Sequence, residues 1–324
     1  MASTYRRILQ HVAARALAQA DICFNQHVIK IDTPLGNEGD SCQHQVSVTT
    51  ASGETYSFDQ IVVTCPLGWL KRNTEAFNPQ LPSRLLQAID NISYGRLEKI
   101  YVKFPEAFWQ SQSKENTPSS STQDDQTTNP VFVQFLEPTY TSHPQNIEWN
   151  QECLSLANLP SPCNHPTLLF YTYGVCGTNI VNQIAGLDES SAEYKQILTE
   201  ILEPFYSKLP GYDRSSPSCK PTSILATRWQ LDPYAGNGSY CNFQVGLEAG
   251  DKDIEALRSG VGLSLERGIW FAGEHTAPFV ALGTTTGAYW SGERAAVQVC
   301  ERVGLGSVGV GIARDDSLPS AGGK

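Results

Sequence analysis

Residues 268–296, GIWFAGEHTAPFVALGTTTGAYWSGERAA, restrict the fold of this chain more than any other stretch. An apolar run stops at Gly273-Glu274-His275, crosses an uncharged loop, and enters a helix opened by Gly283, Thr284, Thr285, Thr286 and Gly287. A carboxyl group at a strand end in an α/β sheet lies where ligands bind. A helix N-terminus carries about half a positive charge and unpaired N–H donors. Fed by a loop without charged side chains, it suits negative charge on a planar ligand. The glycines let a backbone come close, and Gly273 clears space beside Glu274. An ordinary strand-to-helix joint with a threonine cap would use the same residues, and that reading stays open.

At 324 residues and 40% hydrophobic content, the chain can bury a large core and divide into about two domains. A formal net charge of −10 argues against a nucleic-acid partner and leaves cationic or neutral ones. Nine cysteines, with no C-x-x-C pair, fit neither a zinc site nor a disulfide framework. Reduced thiols, no metal and an intracellular setting are expected. No apolar run approaches the roughly eighteen residues of a membrane span, so a soluble chain is expected.

Ile8, Leu9, Val12, Ala16 and Leu17 recur at helical spacing, which predicts one amphipathic helix over 4–20. Residues 22–32 and 44–50 read as strands, and YSFDQIVVTCPLGWL as a third strand ending at Pro66, giving a βββ meander. LPSRLLQAIDNISYG predicts a helix from Pro82 that Gly95 stops, and RLEKIYVKF a strand. Residues 110–130, polar and Ser/Thr/Gln-rich, read as a disordered insertion. VFVQFLE and PTLLFYTYG predict strands, SAEYKQILTEILEPFYSKL a helix, and ILATRWQLDPYAGNGSYCNFQVG strand, turn, strand. Residues 304–324 read as a tail. Gly304-Leu305-Gly306-Ser307-Val308-Gly309 matches G-x-G-x-x-G, but it follows a helix and opens none, so it is no dinucleotide fingerprint.

In RLEKIYVKF, Lys99, Tyr101 and Lys103 share one face, and Ile100, Val102 and Phe104 the other. Taken alone, Lys99 reads as a solvated strand lysine, and Trp229 and Tyr240 as core or edge aromatics. Pro66 shows only that a strand must end.

Four ordered motifs change that reading: VVTCPLGWLK, LPSRLLQAIDNISYGRLEKIYVKFPEAFW, TRWQLDPYAGNGSY and WFAGEHTAPFVALGTTTGAYWSGERAA. Over residues 20–303 the chain resembles the flavin-dependent amine oxidase family, in its polyamine oxidase and lysine-specific histone demethylase branch. The resemblance implies an α/β (mixed α+β) chain. Part of a doubly wound FAD-binding domain would lie at 1–70 and 266–303, with a substrate domain of mixed sheet and flanking helices at 71–265. It implies FAD as cofactor, a small-molecule amine and oxygen as reactants, and oxidation of the amine to an imine with hydrogen peroxide released.

Carried over by position, Lys99 looks like the family lysine that holds a water against the flavin. Trp229 resembles the tryptophan lining the isoalloxazine, and Tyr240 one wall of an aromatic cage around the amine. Val28, Thr64, Pro66, Gly273, Glu274, Gly283, Thr284 and Thr285 fall at cofactor-facing positions. Glu274 would lie on the ribityl and pyrophosphate side, and Val28 beside the adenine. The family opens with a strand, a G-x-G-x-x-G turn and an acidic residue, which are not found here ahead of the matching motifs. The expectation is a truncated chain that holds FAD poorly by itself. The rival reading is an inactive fragment serving as an interaction module.

Overall fold

The computed structural model describes residues 5–33, 45–113, 130–144, 147 and 149–305. These form two compact units, one from 1–24 and 95–239 and the other from 25–94 and 240–324, within the described ranges. The class is mixed α/β, as the sequence predicts.

The second unit begins with the meander β1 (Val28–Asp32), β2 (Val46–Thr50) and β3 (Thr55–Phe58), paired antiparallel. β1 starts at residue 28 rather than 22, because Asn25 takes a left-handed φ of 60° that no strand accommodates. The predicted third strand is two. β3 ends at Phe58, and β4 (Ile61–Val63) leaves that sheet to pair in parallel with β13 (Ile269–Phe271). After Pro66 the chain turns directly into α2 (Leu67–Arg72). β5 (Phe77–Asn78) adds a second parallel pair along β1.

In α3 (Ser83–Asn91), Leu85, Ala88 and Ile89 form one buried face, the i, i+3, i+4 pattern of an amphipathic helix. The helix stops before Gly95, because Ile92 turns extended and Ser93–Tyr94 (β6) pair with Cys241–Asn242 (β12). The core joins Leu67, Leu70, Leu85, Ile92 and Leu257 to Ile269 and Phe271. α6 (Gly250–Ser259), α7 (Leu263–Arg267) and α8 (Thr285–Arg302) complete the unit.

In the first unit, α1 (Tyr5–Leu17) carries no buried residue. The sheet runs β11-β7-β10-β9-β8 and pairs antiparallel at each junction. The mixed pairing of this chain is therefore in the other unit. The strands are β7 (Leu97–Lys103), β8 (Phe132–Phe135), β9 (Gln151–Ser155), β10 (Thr167–Tyr173) and β11 (Ser223–Ala226).

Ile100, Val102 and Phe104 are buried, as their alternation predicts. They meet α4 (Gly174–Gln183) and α5 (Ala192–Tyr206) through Ile180, Leu198, Leu202 and Phe205. Ser191 caps α5, accepting the Tyr194 N–H at 3.1 Å. Phe104 centres an edge-on aromatic cluster with Phe108, Trp109 and Tyr206.

Most of the predicted insertion (114–129) and tail (306–324) lies outside the described residues. Residues 110–113 end a short 3₁₀ turn, Phe108–Ser113. The β6–β12 pair and the α3–α6 packing hold 71–94 and 240–265 with the parallel strands, and the compact units break at 24, 94 and 239. Among the described residues no helix is long and apolar enough to cross a membrane.

Candidate functional site

The sequence-predicted residues fall in both units, and each group has its own scaffold. In the second unit, β4 and β13 run parallel, so their carboxyl ends lie side by side; the Ala272 N–H donates to the Val63 carbonyl at 3.1 Å. Thr64 and Pro66 follow one strand, and Gly273 and Glu274 follow the other. This is the strand-end position expected of a ligand site.

Glu274 is already engaged. One carboxyl oxygen accepts the Cys241 N–H at 3.1 Å, and the other the Gly283 N–H at 2.8 Å. Burial raises its pKa; hydrogen bonds from the Cys241 thiol, the Cys241 N–H and the Gly283 N–H oppose that. Burial, followed by the charge of Glu274, pushes the Cys241 thiol far up. Tyr94 is pushed up by burial, then by Cys241 and Glu274. The nearby Lys71 is lowered by burial, against the pull of Asp90 and Cys241.

The glycines serve the protein's own packing. A Cβ on Gly273 would stand 2.5 Å from the His275 ring, so the space beside it holds an imidazole and is not cleared for a ligand. A Cβ on Gly283 (φ 73°) would meet the Cys241 carbonyl at 2.9 Å and the Tyr240 ring at 3.0 Å. On Gly287 it would collide with the Ala281 carbonyl at 2.1 Å. His275 is 1% exposed, and burial lowers its pKa to about 4, with Arg294 adding to the effect.

Thr284 caps α8, accepting the Gly287 N–H at 2.9 Å and donating to the Ala281 carbonyl at 2.7 Å. Thr284, Thr285 and Thr286 are exposed, so the first turn of an 18-residue helix faces outward. Exposed Thr64, the parallel strand ends and this helix terminus fit a planar ligand with an anionic edge. Tyr240 is 40% exposed and tied to this group through Gly283 and Cys241. Val28 opens β1, in a different sheet.

In the first unit, Lys99 lies on the outer face of β7, with its ammonium 5.8 Å from the centre of the Tyr171 ring. Trp229 opens a 3₁₀ turn, Trp229–Leu231, and is 44% exposed. Their segments are joined at Thr227, two residues before Trp229. The Lys99 N–H donates to Thr227 Oγ1, and the Thr227 N–H donates to the Lys99 carbonyl, both at 2.9 Å.

Sequence reasoning missed Glu98. Its side chain accepts the Thr227 hydroxyl at 2.6 Å, the Trp229 N–H at 3.2 Å and the Gln230 N–H at 3.0 Å. The signal was available, since alternation puts residue 98 on the core face with Ile100, Val102 and Phe104, and a carboxyl group there requires partners. Cys241 carried no signal, because its contact with Glu274 joins positions 33 residues apart.

Among the described residues no cluster of His, Cys, Asp and Glu has the makings of a metal site. The family described as flavin containing amine oxidoreductase matches residues 3–300. Human peroxisomal N(1)-acetyl-spermine/spermidine oxidase is 30% identical over 266 residues, covering 78% of this chain and 44% of that protein. Polyamine oxidase 4 of Oryza sativa subsp. japonica is 28% identical over 304 residues, covering 94% and 49%. Lysine-specific histone demethylase 1 homolog 3 of Arabidopsis thaliana is 27% identical over 262 residues, covering 81% and 13%.

The chain thus spans about half the length, or less, of these relatives. A solved structure titled "Structure-based redesign of cofactor binding in Putrescine Oxidase: A394C mutant" superposes with a TM-score of 0.56 at 17% identity, covering 91% of this chain and 53% of that one; this shows the fold alone. By the family match over nearly its whole length, the chain belongs to the flavin-containing amine oxidoreductases.

Proposed function

We propose that this chain provides flavin-facing and amine-facing residues for FAD-dependent oxidation of a polyamine-like or N-substituted amine. The reading is carried by one observation: parallel β4 and β13 deliver Thr64, Pro66, Gly273 and Glu274 to one edge, joined through Glu274 to the Gly283–Thr284 entrance of α8. The names of relatives, an N(1)-acetyl-spermine/spermidine oxidase and a polyamine oxidase among them, support the substrate class.

FAD held by Thr64, Pro66, Thr284 and Thr285 would supply a two-electron oxidation, in which the amine loses a hydride from carbon and a proton from nitrogen to become an imine and oxygen receives both as hydrogen peroxide. The exposed first turn of α8, with Thr284 and Thr285, would stabilise negative charge on the cofactor's edge. Thr64 and Pro66 would line its approach. Glu274 would act chiefly by fixing the Gly283 loop, since its carboxyl group already takes two backbone N–H donors. Val28 would stand toward the adenine end.

Trp229, 44% exposed, would give the flat ring an aromatic wall. Tyr240 would orient the amine, and exclusion of water by such side chains favours the uncharged amine that reacts. Lys99 would hold a water by its ammonium and act after the hydride has moved. The net charge of −10 would draw a polycation toward the protein.

The test is anaerobic addition of spermine, N-acetylspermine and a methylated-lysine peptide to the FAD-loaded protein. Loss of the visible flavin band with at least one amine, then its return with peroxide on admission of oxygen, is the expected result. Failure of the protein to take up FAD, or a band unchanged by all three, overturns the reading.

A further inference from the structure

We propose that Glu98 is a positioning residue that sets Lys99 and Trp229 in one fixed relation. The proposal rests on the roles given to those two residues above. Glu98 is 1% exposed and sits at the start of β7 on its core face. Among the described residues it enters none of the ion pairs. Its partners are dipoles from one loop: the Thr227 hydroxyl, the N–H groups of Trp229 and Gln230, and more distantly the Gln230 amide at 3.4 Å.

A buried carboxyl group is costly to keep unless each oxygen is satisfied. Here the donors that satisfy it are the first N–H groups of the Trp229–Leu231 turn, whose own N-cap residue, Arg228, makes no side-chain cap. Glu98 therefore caps that turn from another strand.

The same clasp reaches Lys99. Thr227 Oγ1 donates to Glu98 and accepts the Lys99 N–H, a continuous chain in which each bond polarises the next. The loop is pinned on its far side as well. Arg228 donates to Glu189 at 2.8 Å and to the Leu187 carbonyl at 3.1 Å, and Thr178 donates to the Gln230 side chain at 2.7 Å. With those anchors fixed, Glu98 decides how the exposed Trp229 ring stands relative to the strand that carries Lys99. An apolar residue at 98 would continue the core and leave the loop without its cap.

Glu98→Gln tests this, since the amide replaces one acceptor oxygen by a donor facing N–H groups. The chain labelled with 5-fluorotryptophan, Trp229 assigned through Trp229→Phe, should show the ¹⁹F resonance of Trp229 shifted or broadened and the other tryptophans unmoved. In the FAD-loaded protein, kcat should fall roughly tenfold to a hundredfold with KM little changed, as misplacement of catalytic groups does. Cys153→Ala, a core-face change elsewhere in this sheet, should leave kcat unchanged at matched loss of Tm.

If Glu98→Gln does not fold, Thr227→Val removes the linking hydroxyl and must show the same two effects in smaller measure. An unmoved Trp229 resonance overturns the proposal. So does unaltered kcat while Lys99→Met slows turnover. If Lys99→Met is itself without effect, the functional reading has failed and the role of Glu98 falls with it, whatever the resonance does.

Discussion

Glu98 and Glu274 are both carboxyl groups that collect backbone N–H donors, yet they hold their loops in opposite ways. Glu98 lies within a core, and its backbone donors, Trp229 and Gln230, come from a single turn. Glu274 lies at a strand end and ties two distant segments, at Cys241 and Gly283. The first arrangement fixes one side chain relative to a strand. The second fixes the mouth of a helix, and it does so beside a buried imidazole. A residue matching a cofactor position thus has its first duty inside the protein.

The largest expected effect is on acid stability, and it should separate the two units. The His275 pKa is lowered from 6.5 to about 4 by full burial. A base depressed on folding contributes stability that is complete above its unfolded pKa and lost as pH falls from about 6.5 toward 4. That fall from 6.5 to about 4 corresponds to roughly 3 kcal/mol. The raised pKa of Glu274 acts in the opposite sense, favouring the fold below 4.5 and less as pH rises through its folded value. Hydrogen exchange between pH 7 and pH 4.5 should lose protection at 269–277 before it does along β7 and β10. Equal loss in both units would remove the distinction, and His275→Gln should abolish the difference.

Next comes Gly287→Ala, whose methyl would meet the Ala281 carbonyl at 2.1 Å. Overpacking of this kind costs about 1–3 kcal/mol, read as a lower melting temperature. Glu274→Gln should cost about as much or somewhat less, because one of two N–H groups then faces an amide NH₂. It should also expose the Gly283 amide to exchange while leaving the Trp229 amide protected. The smallest effect is of opposite sign. Gly292, also in α8, has open space around its Cα, and Gly292→Ala should stabilise by roughly 0.5–1 kcal/mol.

Much of the Glu274 arrangement was legible in sequence, and part of the Glu98 arrangement was not. The apolar run Ile269-Trp270-Phe271 and the Thr284 cap follow from pattern alone, and so does the outward face of Lys99. Glu98 was hidden by its neighbour, since the strand was read for its exposed lysines and its apolar residues. The break between β3 and β4 escaped notice because Asp59-Gln60 has neither glycine nor proline. What sends Ile61–Val63 to another sheet is pairing with residues about two hundred positions later, a tertiary choice. For the same reason the true purpose of Gly273, to admit the His275 ring, could not be read from spacing.

Stopped-flow reoxidation of the amine-reduced, FAD-loaded protein by oxygen measures the role proposed for Lys99 most directly. In Lys99→Met, reoxidation should slow by roughly a hundredfold or more, the scale of a lost proton-handling group, with FAD content unchanged. Reoxidation at the unmutated rate would contradict the account.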